Sequence, residues 1–597
     1  MDAEGGAAVA AEVLADPWAG GRALWRVEAV AALLASEGRW TPVAPLDSLV
    51  GDPGALDVVV AALARRDAWG VACELVEAAL LRACSGDGRG LYEAFWAAER
   101  LCGEFRAAPG RLLPALSAVL AWRGEGPHVP PWTASLPGDA AELIGSLGTD
   151  AAPARDALVV LAGDASSPAN ADRALAALIR LGDDRGTSLL AADLPCRPLA
   201  LRSAVEHGLP FSSVLLPAVR ERLRVASEPS ADGSERPAPT GPEREAERFL
   251  LALLRSWGPE AHEAVPELCG LLERKALPDA AARTEQRQTP VAGGASAPEK
   301  KRVRADTDDV TKRPAAISVS DGGALEQVCA TLAAIGDSSD GREQVKAVLR
   351  RVVAGGEARA RLAASRALWR LTGDALPVLA EAAVLLSEKG ARADKALRPD
   401  AAEACRELGE EARPLLPVLL RLLARPKPRR LPWLVDVAVA VWRLTGETEH
   451  VRPVLDAALA APDSGPKAVR AVRELGPAAA SLAEHVAHRL YDLYELPETV
   501  RALIRVCSDA WQLPEGCSPI RLIDLLLTNA GEARDPLPAF EVITEVGVAH
   551  LTEVHRRLLH RYATQDQRVP RKHSSPDIAA DTALRAASQA LLNLTAR

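Results

Sequence analysis

The chain has 597 residues, of which 48% are hydrophobic, 25% charged and 4% aromatic, and its formal net charge at pH 7 is −9. That length exceeds what one ordinary core organises, so several domains or a repeat array is expected. The acidic balance argues against a dedicated nucleic-acid binder, which carries a basic excess to displace counterions, and the scarcity of aromatics argues against a large sheet protein.

In chain order, residues 1–140 read as helices joined by short turns, as in ALDVVVAALARRDAWGVACELVEAALLRACS at 55–85. Seven of the twelve tryptophans (Trp18, Trp25, Trp40, Trp69, Trp96, Trp122 and Trp132) fall within this N-terminal region. Tryptophan is mostly buried, so core filling is preferred to an aromatic binding surface. Helix pairs are expected over 141–225, 245–277 and 321–564. The stretches 226–244 and 278–320 are rich in Pro, Ser, Gly and charge, bury too little apolar surface to fold, and read as disordered linkers. A polar break at 565–577 precedes a helix over 578–597 that reads as a terminal cap.

Internal periodicity decides the fold class. The string WRLTG occurs at 369–373 and again at 442–446, and the glycines Gly336, Gly373, Gly409 and Gly446 recur at intervals of 37, 36 and 37 residues. A period in this range marks a helix-pair array. Each glycine is expected to close a first helix in the left-handed conformation. Arg370, Arg406, Arg443 and Arg473 each stand three residues before such a glycine, where a cation meets the negative end of the helix dipole. Second helices open with Pro, as in LPVL at 376–379 and 416–419 and RPVL at 452–455, because a first-turn N–H has no intrahelical partner to lose.

RFLLALLRSWGPEAHEAVPELCGLLER at 248–274 and AACRELGEEARPLLPVLLRLLAR at 403–425 carry this pattern most fully, and both resemble HEAT repeats. More loosely they resemble the bacterial HEAT-like repeats once grouped with phycobilin lyases. The resemblance implies an all-α, right-handed α-solenoid, armadillo-like, with second helices lining a concave face. Tetratricopeptide repeats share a similar period but need paired aromatic positions, which four tyrosines cannot supply.

Candidate chemistry is sparse. The nine cysteines include no CxxC and read as small buried hydrophobes in a reducing compartment. His485 and His488 give an i, i+3 pair with Glu484 beside it, and no HExxH accompanies them. His550, His555 and His560 recur every five residues, which spreads them about 140° apart around a helix. HEAT-repeat iron hydroxylases use several His–Glu dipeptides, whereas only His262–Glu263 occurs here. No phosphate loop or nucleophile elbow is present. EKKRVR at 299–304 is followed by DTDD and reads as solvated linker charge.

The cluster RLLARPKPRRLP at 421–432 puts Arg421 and Arg425 one turn apart on a second-type helix, with Arg429 and Arg430 in the turn that follows. The resemblance places such a helix on the concave face, so these four arginines are the candidate partner contacts; offset of the helix dipole is the competing reading. The expectation is therefore a non-catalytic scaffold, without cofactor or metal, that grips a protein through its concave surface. Its alternative is a nucleic-acid binder resembling the HEAT-repeat alkylpurine glycosylases, which would need a continuous basic groove. With no basic leader and no stretch of eighteen uncharged apolar residues, a cytoplasmic, non-membrane protein is expected.

Overall fold

The computed structural model describes the chain from Leu56 onward, apart from residues 57–59, 62, 65–67, 87, 89, 124–130, 228–240, 278–321, 337–340, 388–393, 425, 427–429, 493, 508–512, 570–577 and 596–597. It forms two compact units: unit 1 comprises residues 1–218 and 419–597, and unit 2 residues 219–418. Among the described residues every regular element is a helix, and extended pairing is limited to one isolated antiparallel bridge between Phe105 and Gln567. The all-α, helix-pair organisation expected from the periodicity is thus what the structure has. No helix among the described residues is long and apolar enough to cross a membrane.

The first part of unit 1 holds α1 (Trp69–Ser85), α2 (Leu91–Glu104), α3 (Ala108–Ala121), α4 (Leu136–Ser146), α5 (Arg155–Ala162), α6 (Pro168–Arg180), α7 (Asp184–Ala192) and α8 (Pro198–Glu206). α1 packs on α2 and α3, α4 on α6, and α6 on α8. Two glycines one heptad apart set the α4–α6 approach. A Cβ at Gly145 would lie 2.7 Å from Ala177 Cβ, and one at Gly138 would lie 2.5 Å from Asn170 Oδ1. α6 is consequently buried nearly all round, Asp172 included. The Asp172 carboxylate accepts the N–H groups of Leu199 (2.9 Å) and Ala200 (3.0 Å), capping α8 from a neighbouring helix. Burial outweighs these bonds and raises its pKa above the usual aspartate value.

The unit boundaries fall within α9 (Leu216–Ser227) and α17 (Leu416–Leu423). Unit 2 contains α10 (Gly241–Trp257), α11 (Val265–Ala276), α12 (Gly322–Ile335), α13 (Arg342–Gly355), α14 (Ala358–Thr372), α15 (Leu376–Leu386) and α16 (Arg398–Leu408). First-type helices stack in register, α10 on α12 and α12 on α14, while α15 bridges α14 and α16. α9 and α10 run into the two ends of the 226–244 stretch, of which 228–240 lie outside the described residues, as does all of 278–320.

Unit 1 resumes with α18 (Leu431–Thr445), α19 (Arg452–Ala460), α20 (Gly465–Leu475), α21 (Ala483–Ala487), α22 (Leu496–Val506), α23 (Pro519–Glu532), α24 (Leu537–Val546), α25 (Glu553–Thr564) and α26 (Ile578–Thr595). The same stacking recurs: α18 on α20, α20 on α22, α22 on α24, and both α24 and α25 on α26.

The helix-ending glycines are of two kinds. Gly373 and Gly446 are left-handed, with φ 74°, ψ 0° and φ 71°, ψ −1°, and each donates to the carbonyl of the WRLTG tryptophan at 2.7 Å. Gly409 and Gly476 instead have φ 56°, ψ −125° and φ 56°, ψ −134°, and lead straight into the 3₁₀ turns Gly409–Leu415 and Gly476–Leu482. Gly336 is not left-handed, since positive φ is confined to other glycines. The 73-residue spacing of WRLTG is therefore a true double period, alternating two kinds of helix end.

Gly145→Val forces α4 and α6 apart and is expected to cost about 2 kcal/mol or more, whereas Gly110→Ala, with open space at its Cβ, is expected to add up to about 1 kcal/mol. Urea denaturation of both variants checks the contrast. A second expectation concerns pH. Glu326 on α12 has its pKa raised by burial and then by Asp400 of α16, whose own carboxyl is raised by burial against the pull of Arg359 and Arg366. With folded pKa values above the unfolded ones, the native state binds more protons, so these groups add stability as pH falls towards the ordinary range. Glu326→Gln should stabilise the chain at pH 7 and lose that advantage near pH 4.5, the ordinary glutamate value. Equal effects in urea unfolding at the two pH values would contradict this.

Candidate functional site: a charged cleft beside a buried clasp

Arginine, 61 of the 71 basic residues against ten lysines, is largely committed to structure. One set caps helix C-termini across repeats. Arg155 donates to Leu181 O (2.9 Å), Arg342 to Leu371 O (2.8 Å), Arg398 to Ser387 O (2.7 Å) and Arg489 to Leu459 O (3.3 Å). Each places a planar cation on the orphan carbonyls of a helix end.

A second set joins successive first-type helices. In unit 2, Arg366 (2.6 Å) and Arg370 (3.0 Å) both reach Glu407, and Trp369 Nε1 donates to Glu411 at 2.9 Å. In unit 1, Arg443 pairs with Glu474 (2.6 Å), Arg473 with Glu498 (2.6 Å), and Arg501 with Glu498 (2.9 Å), Glu541 (2.6 Å) and Glu545 (3.0 Å). Arg370, Arg443 and Arg473, which the sequence assigns to their own helix dipoles, thus serve the next helix as well. Glu474 and Glu545 also line a cavity of about 570 Å³ together with Arg473, Arg501 and Arg505. The ladder alternates sign at every step, so these arginines form no continuous basic groove.

Of the four arginines proposed from sequence, Arg421 is exposed on α17 and Arg430 is half-buried at the start of α18. Arg425 and Arg429 lie outside the described residues. The histidines fall apart. His262 Nδ1 sits 3.2 Å from Pro259 O, His485 pairs with Asp456 at 3.2 Å, and no group of three or more His, Cys, Asp or Glu among the described residues is placed to hold a metal. His555 is buried at 2% exposure. Its ring closes a capping box with Thr552 and meets Asp524 Oδ1 at 2.6 Å. Cys73, Cys102, Cys269, Cys329 and Cys405 are buried, and burial pushes Cys73 up to about 12; Cys196 is exposed. Among the tryptophans, Trp122 is buried, Trp69 lies between Phe105 (6.0 Å) and the Arg111 guanidinium (5.4 Å), and Trp96 is half-exposed. Trp18, Trp25 and Trp40 lie outside the described residues.

What the periodicity does not reveal is how unit 1 closes. The segment after α2 meets the segment after α25. Arg106 N–H donates to Asp566 O (2.9 Å), and Arg568 N–H to Glu104 O (2.7 Å). Ala107 N–H donates to Asp566 Oδ1 (3.0 Å). Arg106 grips Asp581 of α26 with both arms of its fork, at 2.9 and 3.1 Å, and reaches Gln565 O at 2.6 Å. Arg568 reaches the same carboxylate at 2.6 Å and Cys102 O at 3.0 Å. The three side chains are 5–8% exposed. The helix expected as a terminal cap therefore also binds residues 475 positions upstream.

Beside this clasp a cleft of about 1230 Å³ opens between α4, α6 and α8 on one side and the α23–α24 turn and first turn of α26 on the other. Its walls carry Arg173, Arg180, Arg202 and Arg534, and also Glu142, Asp150, Glu206 and Asp535. Arg173 pairs with Asp139 and Arg202 with Glu206 (2.7 Å). Among the described residues no carboxylate lies within ion-pair distance of Arg180 or Arg534. Burial, then Arg180, lowers the pKa of His207 below its usual value, with Glu206 opposing.

No protein-family model and no curated protein matches the chain. Among solved structures, a crystal structure of importin beta in a polyethylene glycol condition aligns over 99% of this chain and 88% of its own, at 12% identity and a TM-score of 0.43. Importin beta in an ammonium sulfate condition aligns over 99% and 96%, at 12% identity and a TM-score of 0.36. A circular tandem repeat protein with novel repeat topology and enhanced subunit contact surfaces aligns over 96% and 97%, at 12% identity and a TM-score of 0.12. Likeness at this level says nothing of partner or activity.

Arg501→Ala strands Glu541 and Glu545 and leaves Glu498 to Arg473 alone, around a side chain that is only 17% exposed. It is expected to cost about 1–2 kcal/mol in denaturant unfolding, with the loss shrinking in about 1 M salt as screening relieves the repulsion.

Proposed function

We propose that the chain is a non-catalytic helical scaffold that binds a protein partner, and that the cleft of unit 1 receives a segment of it. The observation that carries this reading is the mixture of charge in the cleft: among the described residues, Arg180 and Arg534 stand without carboxylate partners on walls that also carry Glu142 and Asp150. A polypeptide supplies both signs and apolar groups for Leu147 and Leu199 on the same walls, whereas a polyanion would meet acidic residues throughout. The Arg–Glu ladder speaks against the nucleic-acid alternative in the same way, because its cations are already engaged by glutamates. Arg421, Arg425, Arg429 and Arg430 are proposed as additional partner contacts, and a cytoplasmic location belongs to the same reading.

The test is affinity capture from native lysate with the full chain and with Arg180→Glu/Arg534→Glu, followed by mass spectrometry. A protein retained by the wild type and reduced at least about tenfold with the double variant, at unchanged helicity by circular dichroism, is the expected outcome. Equal retention by both, or none by either, counts against the reading. Duplex DNA that binds at ~50 mM salt and is lost steeply with added salt would favour the alternative.

A further inference from the structure

α26 presents two faces in its first turns. Ile578, Asp581 and Leu584 are buried, whereas Ala579 and Thr582 are exposed, and Ala579, Thr582 and Ala583 form part of the cleft wall. The spacing is that of opposite sides of one helix. The carboxylate gripped by two guanidiniums therefore sits one residue away from side chains that bound the cleft. The other cleft wall, α4 to α8, is tied to α3 through α4, and α3 begins one residue after the clasped Arg106 and Ala107. Both walls thus refer their position to one buried contact.

We propose that the Arg106–Asp581–Arg568 clasp is the positioning device of the cleft, with Asp581 as its positioning residue: the clasp sets the separation of the two walls, and seating a partner segment and closing the seam are coupled. The chemistry suits a two-state latch. A forked guanidinium holds a carboxylate in one orientation. Removing the carboxylate leaves Arg106 and Arg568 buried without a counter-charge, so the seam opens rather than loosens. Coupling is reciprocal, so a segment that spans the cleft protects the seam to the same degree that the closed seam favours the segment.

The inference rests on the proposed function only for what fills the cleft; its test needs no partner, so the two readings fail separately. Spin labels on unnatural amino acids at Thr149 and Thr582, which avoid the nine native cysteines, report the distance across the cleft of the full chain by pulsed electron resonance. The wild type is expected to give one narrow distance. Asp581→Asn is expected to give a broad, longer distribution, together with an approximately tenfold or greater loss of hydrogen-exchange protection at the Arg106, Ala107 and Arg568 amides. α14 of unit 2 should keep its protection. Arg106→Lys, which keeps the charge but loses the fork, should give the same pattern at smaller size if Asp581→Asn fails to fold. An unchanged distance with an opened seam, a seam that stays protected, or equal loss of protection in α14 overturns the proposal.

Discussion

One carboxylate between two guanidiniums holds together parts of unit 1 that the chain leaves far apart. Asp581 is 5% exposed, so its charge is removed from water and returned only by the forks of Arg106 and Arg568. A buried ion pair contributes little over an apolar contact of the same shape, yet breaking one strands its partner and costs about 3–5 kcal/mol. Its worth is specificity: it admits one register of the 102–107 segment against 565–568 and Asp581. The bridge between Phe105 and Gln567 and the stacking of Phe105 on Trp69 are built around that register.

The same economy of charge runs through the repeats. Arginine meets carbonyls at helix ends and carboxylates on the next first-type helix, and each use draws on its planar, permanently charged fork. Lysine could neutralise a carboxylate, as Lys467 does for Asp436, but its compact ammonium lacks the planar fork that sets two acceptors in a fixed geometry. The excess of Arg over Lys thus has a structural component, visible only when partners on other helices, most of them 25 to 44 residues away, are in view.

The fold class was legible because it is written locally and repeatedly. Gly373 and Gly446 close their helices with nearly identical dihedrals, and the first-turn prolines of α15, α17 and α19 stand where the motif placed them. Gly409 and Gly476 were legible as helix ends but not as a different kind, because glycine permits both conformations. The role of His555 was hidden since its partner Asp524 lies on another helix, and the i, i+5 histidine spacing carries no trace of it. The clasp had no signal at all: Arg106, Arg568 and Asp581 are ordinary residues in ordinary segments, and their meaning comes from a contact across 475 positions. The cleft shares that origin.

Such a contact also fixes an order of events during biosynthesis. Translation completes α1, α2 and α3 while Asp581 and Arg568 have yet to be made, so the nascent chain carries Arg106 and the polar backbone of 104–107 unsealed until residue 581 has emerged. Local stacking of helix pairs can proceed meanwhile, because each needs only its neighbours. The seam is a long-range step with a high loop-closure cost. A ribosome that stalls or terminates before residue 581 therefore releases a chain whose repeats are stacked but whose first unit is open, and the quality-control machinery meets the unsealed N-terminal edge rather than an unfolded coil.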